Sequence, residues 1–104
     1  MATLLPNDTQ QKMMDIWHRN RDQVMERLAL LDRAAETHPL PEQLRQQATD
    51  VAHKLAGSLG MFGFAEGTRL ARCIEQYLET RNPSPEALAA LSTELRQSLF
   101  PTDS

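Results

Sequence analysis

Apolar residues recur every three or four positions along most of this chain, and this periodicity limits most narrowly what the chain can fold into. No segment of useful length alternates apolar and polar residues with period two, which is the pattern of a half-buried strand. Proline or glycine closes the periodic segments, for example at Pro39, Gly63 and Pro83. The pattern therefore predicts a series of amphipathic helices joined by short links.

The first periodic segment runs from a capping-box pattern at residues 8–11 to Glu36. Its apolar stripe has one gap, where Asn20 and Arg21 stand in place of an apolar residue. An unbroken helix of this length would extend about 43 Å at ~1.5 Å per residue, which is about twice the length of the later segments. We therefore expect a bend or break near His18–Arg21, which divides the segment into a short N-terminal helix and a longer one.

Three further helices are predicted downstream. The first has Pro41 at its first position and ends at Gly60–Gly63, the second stops at Arg81–Asn82–Pro83, and Ser84 caps the last, which Pro85 opens. Their apolar stripes comprise Leu44, Ala48, Val51, Leu55 and Phe62; Phe64, Leu70, Ile74, Tyr77 and Leu78; and Leu88, Leu91, Leu95 and Leu99. Because short links favour antiparallel neighbours, we predict an all-α, up-down-up-down four-helix bundle with a short additional N-terminal helix.

Composition narrows the class of protein. A chain of 104 residues with 40% hydrophobic residues is expected to form a single domain over residues 1–104. The net charge of −3 disfavours binding to nucleic acid, which requires a basic surface. Cys73 is the single cysteine, and none of the histidines lie three or four residues apart, so no metal site is expected. No apolar run approaches the ~18 residues of a membrane span, so we expect a cytoplasmic protein.

His53 lies about 160° from the centre of the apolar stripe of its helix, so we expect it to face solvent. Gly57 and Gly60 fall on the same side, with Ala56 flanking them. A glycine within a helix costs roughly 1 kcal/mol relative to alanine, and the stripe continues beyond Gly57 at Leu59. A residue that weakens its own helix indicates close approach by a phosphate or a partner surface.

The run from Ala52 to Phe64 resembles a histidine phosphotransfer (HPt) domain. It contains His-x-Leu-x-Gly-Ser, followed by a turn with glycine at 60 and 63 and by a Leu-x-x-x-Ile-Glu helix. The likeness extends over nearly the whole chain. It implies that His53 accepts a phosphoryl group from a phospho-aspartate on a receiver domain and passes it to another receiver, and that Gly57 permits the close approach.

The residues beside His53 depart from the family in one respect. Many HPt domains have lysine immediately before the glycine, where this chain has Ala56. Lys54 lies about 100° round the helix from His53, so only its flexible side chain can bring the ammonium close. The predicted phosphate neighbourhood therefore comprises Lys54, Ala56 and Gly57, with a neutral imidazole as the nucleophile.

Other residues are candidates for orientation and docking. A hydrogen-bond acceptor placed against the second ring nitrogen of His53 would orient the imidazole. Glu75 and Gln76 are the candidates for this acceptor, and helix phase does not choose between them. The predicted docking rim around His53 comprises Gln46, Thr49, Asp50, Gly60 and Arg72.

The resemblance implies a phosphorelay intermediate. Its expected partners are response-regulator receiver domains and a hybrid sensor histidine kinase, and the receiver supplies the Mg²⁺, so the chain is expected to hold no cofactor of its own. No glycine-rich nucleotide loop is present, so we expect no kinase activity. A monomer is expected, because each partner in turn requires the same exposed face. Two alternatives stay open: a helical docking module that binds a receiver without carrying phosphate, and a plain helical scaffold in which His53 is incidental.

Overall fold

The computed structural model describes residues 4–80 and 83–100, which contain four helices and no strand. The helices are α1 (Leu4–Glu36), α2 (Glu42–Met61), α3 (Ala65–Leu78) and α4 (Pro85–Leu99). Each described helix packs against two others, α1 against α2 and α4, and α3 against α2 and α4. This closed arrangement confirms the predicted all-α four-helix bundle.

α1 is one continuous helix of 33 residues, so the predicted break near His18–Arg21 and the separate short N-terminal helix are wrong. The polar residues in the gap find partners without leaving the helix. Asn20 Nδ2 donates to the carbonyl of Ile16 at 2.8 Å, and the Arg21 guanidinium lies 5.0 Å from the centroid of the Phe100 ring. A cation over an aromatic face is stabilising, so this part of the stripe stays helical.

The start of α1 also differs from the prediction. The helix begins at Leu4, so residues 8–11 lie inside it instead of at its N-terminus. Residues 11–16 are exposed, and the first buried position among the described side chains of α1 is Trp17. Among the described side chains of α1, the contribution to the core therefore begins at Trp17.

The core is built mainly from leucine and alanine. Its buried residues are Trp17, Val24, Leu28, Leu31, Ala34, Ala35, Ala48, Ala52, Leu55, Ala56, Leu59, Leu70, Ala71, Ile74, Leu78, Leu88, Leu95 and Leu99. An aromatic cluster closes one end, where the Trp17 ring centroid lies 5.5 Å from Phe62, 4.7 Å from Phe64 and 5.7 Å from Phe100. These contacts join α1 to the α2–α3 turn and to the end of α4.

The turn between α2 and α3 fixes how these two helices meet. Gly63 adopts φ +83°, and its N–H donates to the carbonyl of Gly60 while the Phe64 N–H donates to that of Leu59. This pair of bonds is a Schellman motif, in which glycine is preferred because the backbone is left-handed. The predicted reversal at Gly60–Gly63 is therefore confirmed.

The remaining helix ends follow the sequence closely. Pro41 lies at the N-cap of α2 instead of the predicted first position, because the helix begins at Glu42. The Ser84 hydroxyl accepts from the N–H of Ala87 and Pro85 opens α4, as predicted. α3 ends at Leu78, whereas Arg81 and Asn82 of its predicted stop lie outside the described residues.

Gly67 lets α3 approach its neighbours closely. A Cβ at this position would lie 3.1 Å from Leu99 Cδ2 and 3.2 Å from Leu59 Cδ1. Both distances are tighter than ordinary carbon contacts. The glycine therefore permits the packing of α3 against α2 and α4.

Candidate functional site

His53 stands outward from the middle of α2, with 75% of its side chain exposed. The helix phase places it there, because the buried residues Ala52, Leu55 and Leu59 hold the opposite side of α2 against the core. The imidazole is therefore accessible to a second macromolecule without any rearrangement of the bundle.

The carboxylate of Glu75 on α3 lies against this imidazole, with Oε2 2.9 Å from His53 Nδ1. Glu75 is half-buried, with 23% of its side chain exposed, whereas Gln76 is exposed on the next position of α3. Of the two candidates left open by the sequence, the structure thus brings Glu75 to the ring.

This contact defines the state of the two ring nitrogens. A carboxylate accepts hydrogen bonds and cannot donate them, so His53 Nδ1 carries the proton that Glu75 accepts. In the neutral ring the other nitrogen, Nε2, then holds the free lone pair. The arrangement presents a nucleophilic nitrogen to solvent and fixes the orientation of the ring behind it.

Open space adjoins the histidine at Gly57, one turn further along α2. A Cβ at this position would meet no atom within 4 Å, and the residue is exposed. Gly60 is also exposed, and a Cβ there would lie 3.5 Å from Thr68 Oγ1, which is an ordinary contact. The packing of the bundle therefore does not require a glycine at position 57.

Ala56 does not lie on the exposed face beside His53, and that expectation is wrong. The residue is 5% exposed, and its carbonyl accepts from Thr68 Oγ1 at 3.3 Å, which places it in the contact between α2 and α3. Lys54 lies exposed on the opposite flank of His53. Within residues 4–80 and 83–100, Lys54 makes no ion pair, so its ammonium is available to a partner.

Three residues of the predicted docking rim lie within about two turns before His53 on α2. Gln46 and Asp50 are exposed, and Thr49 is half-buried and donates to the carbonyl of Arg45 at 2.8 Å. They line a cleft of about 550 Å³ between the start of α2 and the end of α3, together with Glu42, Arg45, Leu78 and Glu79. The two other rim residues, Gly60 and Arg72, are exposed but do not line this cleft.

Arg45 is a residue of this region that the sequence reasoning missed. Its Nη1 donates to the carbonyls of Leu78 at 2.6 Å and Thr80 at 3.2 Å, and its Nε donates to Glu42 Oε1 at 3.1 Å. The hydrogen bond from Arg45 holds the pKa of the Glu42 carboxyl below its usual value. The Glu-x-x-Arg spacing within one helix was the available signal for the ion pair, but the carbonyl contacts depend on the position of α3.

Among residues 4–80 and 83–100, no group of three or more histidine, cysteine, aspartate or glutamate side chains is placed to hold a metal ion. None of the described helices combines the length and apolar character needed to cross a bilayer.

The chain is similar to known proteins over most of its length. The family model of the Hpt domain matches residues 2–99, which include all of α2 and α3. Protein RcaC of Microchaete diplosiphon is 36% identical over 85 residues, a match that covers 75% of this chain and 13% of that protein. The chain thus spans a small part of the length of this relative. No solved structure matches the chain significantly.

Proposed function

The chain belongs to the Hpt domain family, and we propose that its His53 accepts a phosphoryl group from a phospho-aspartate of one receiver domain and passes it to another receiver. Hpt domains are phosphotransfer modules of phosphorelays and have no kinase activity of their own. One observation supports the assignment to His53 above all. It is an exposed imidazole whose Nδ1 is bonded to Glu75, so that Nε2 is left free.

The proposed transfer begins with attack of Nε2 on the phosphorus of the acyl phosphate. The N–P bond forms as the bond between phosphorus and the aspartate oxygen breaks, and aspartate leaves as a carboxylate. Nδ1 keeps its proton, so the phosphorylated ring carries a positive charge that the adjacent Glu75 carboxylate neutralises. The second transfer reverses these steps with a different receiver.

The phosphoryl oxygens also require charge neutralisation and in-line approach. Lys54 is the proposed source of positive charge from this chain, because Ala56 has no charge and is buried. We propose that the chain needs no metal or nucleotide of its own, and that the receiver brings the Mg²⁺. The open space at Gly57 admits the receiver surface along the line of attack.

The proposed partners are receiver domains of response regulators and a hybrid sensor histidine kinase, which places the proposed role in the cytoplasm. We propose that the chain acts as a monomer, because both partners must reach the same face of α2. The docking rim is proposed to comprise Gln46, Thr49, Asp50, Gly60 and Arg72. Lys54 and Gly57 lie next to the phosphoryl group in this arrangement.

The experiment that tests this proposal uses receivers charged with acetyl phosphate or by a kinase. The protein is expected to take up phosphate in an acid-labile, base-stable form, and His53→Gln is expected to abolish the uptake. His18→Gln, which removes another exposed histidine, is the matched control and is expected to label like the wild type.

Two outcomes would contradict the relay. If the wild type takes up no label from any receiver in a panel of charged receivers, it does not carry out the proposed transfer. If His53→Gln takes up as much label as the wild type, His53 is not the phosphorylated residue. Binding of a receiver without any labelling would instead favour the docking module.

A further inference from the structure

The contact between His53 and Glu75 joins two helices through an exposed side chain. An ion pair or hydrogen bond of this kind is weak in water, because solvent screens it and the side chains lose freedom on pairing. The contact between His53 and Glu75 is therefore too weak to set the distance between α2 and α3, although it forms only at that distance. The spacing between the two helices near His53 must be set by other contacts.

At the turn between α2 and α3, two kinds of contact connect the helices. These are the backbone hydrogen bonds of the Schellman motif and the hydrogen bond from Thr68 Oγ1 to the carbonyl of Ala56. At the opposite end, where α2 begins and α3 finishes, Arg45 bonds the carbonyls of Leu78 and Thr80. His53 and Glu75 lie between these two attachments.

Arg45 is well suited to hold the end of α3. The last carbonyls of a helix lack partners within the helix and carry partial negative charge. α3 has no basic residue in its own last turn, so the guanidinium of Arg45 supplies the cation from α2. The guanidinium is planar, and its other edge is fixed by Glu42, with Nε at 3.1 Å from Oε1 and Nη2 at 3.4 Å from Oε2.

Leu78 lies about one helical turn after Glu75, and Arg45 lies about two turns before His53. Because α2 and α3 run in opposite directions, both steps lead toward the same end of the helix pair. We propose that Arg45 is a positioning residue: by holding the carbonyls of Leu78 and Thr80 at the end of α3, it keeps the Glu75 carboxylate at Nδ1 of His53 and thereby leaves Nε2 as the nucleophile. The effect on transfer rests on the proposed function, whereas the effect on the ring does not.

The test compares Arg45→Gln with Arg69→Gln. Arg69 forms a pair of the same spacing with Glu66, and its two hydrogen bonds to that carboxylate stay within α3, so it is a matched control. The readouts are the tautomer of His53 by ¹⁵N nuclear magnetic resonance and the rate of phosphoryl transfer from a charged receiver. Arg45→Gln is expected to increase the population with the proton on Nε2 and to slow transfer by up to about fivefold. Arg69→Gln is expected to change neither.

A double-mutant cycle with Glu75→Gln separates positioning from general loosening of the bundle. If Arg45 acts through Glu75, the double variant transfers phosphate as slowly as Glu75→Gln alone. Arg45→Lys keeps the charge but loses the planar fork, so it is expected to give an intermediate tautomer ratio even if Arg45→Gln folds poorly.

The inference is overturned if Arg45→Gln and Arg45→Lys keep the wild-type tautomer ratio, or if Arg45→Gln slows transfer equally with and without Glu75. Failure of the proposed function would look different. In that case the wild type would take no phosphate from any receiver, while the tautomer measurement would still decide the role of Arg45.

Discussion

Gly57 lies one turn after His53 on the exposed face of α2, and a Cβ at position 57 would meet no atom of the bundle within 4 Å. Glycine in a helix interior lowers stability by about 1 kcal/mol relative to alanine. The glycine at position 57 therefore improves neither the packing of the bundle nor its stability. This supports the proposal that the space beside His53 admits an approaching receiver domain.

Replacement of Gly57 separates stability from transfer. Gly57→Ala is expected to raise the free energy of unfolding by about 0.5–1 kcal/mol, because alanine favours the helix and meets no neighbour. Gly57→Gln is expected to retain the helical content but to block phosphoryl transfer, because its side chain occupies the approach to His53. Urea unfolding, circular dichroism and labelling by a charged receiver measure these three quantities. Normal transfer by Gly57→Gln would show that the space is not needed.

The opposite result is expected at Gly67. Gly67→Ala forces a methyl group to within 3.2 Å of both Leu99 and Leu59, where α3 meets its neighbours. Overpacking of this kind costs about 1–3 kcal/mol, so the urea midpoint should fall although alanine is the better helix former. Gly57→Ala is the matched control. A stability of Gly67→Ala equal to or above that of the wild type would mean that the neighbouring leucines move aside freely.

A polar contact between α1 and α4 is expected to matter for stability alone. Asp32 accepts from the Ser92 hydroxyl at 2.5 Å and from the Arg96 guanidinium, and Ser92 is 2% exposed. Asp32→Ala leaves the buried hydroxyl without its partner, which costs about 1–3 kcal/mol in urea unfolding. Phosphoryl transfer by the folded variant should equal that of the wild type, since this contact joins helices other than α2 and α3.

The exposed pair of Glu66 and Arg69 provides the control for that measurement. Glu66→Ala removes a carboxylate from an ion pair within one helix and should cost less than about 0.5 kcal/mol. Equal losses from Asp32→Ala and Glu66→Ala would argue that the contact between α1 and α4 is no stronger than a surface pair.

The outward position of His53 could be predicted from the sequence, because the rotation per residue in a helix is fixed and the apolar stripe marks the buried side. The continuity of α1 could not. Arg21 occupies a position where the stripe needs an apolar residue, and its partner Phe100 comes from the far end of the chain. Periodicity within one segment contains no information about such a distant contact.

The surroundings of His53 also depend on contacts between helices that periodicity within one helix does not reveal. Phase around a single helix does not show which flank a neighbouring helix covers, so Ala56 was expected at the surface, whereas α3 covers it and leaves Lys54 exposed. The choice of Glu75 over Gln76 likewise depends on the register of α3 against α2. The contacts that set this register, including those of Arg45, become visible only when both helices are in place.

Lys54 is exposed next to His53 on α2 and can bring a positive charge to a phosphoryl group there. Attraction between its ammonium and the phosphoryl oxygens lowers the free energy of the phosphorylated protein, by about 0.2–1 kcal/mol for an exposed pair. Lys54→Ala is therefore expected to reduce the equilibrium ratio of phosphorylated to free His53 by up to about fivefold against a charged receiver, and to shorten the lifetime of the phosphohistidine.

Lys54→Arg keeps the charge and should retain most of the wild-type ratio, which makes it the matched control. Ala56→Lys in the Lys54→Ala background asks whether a lysine immediately before Gly57 can replace the lost charge. Position 56 is covered by α3, so this variant should recover the ratio only in part and at a cost in stability. An unchanged phosphohistidine ratio and lifetime in Lys54→Ala would show that the charge beside the phosphate comes entirely from the receiver.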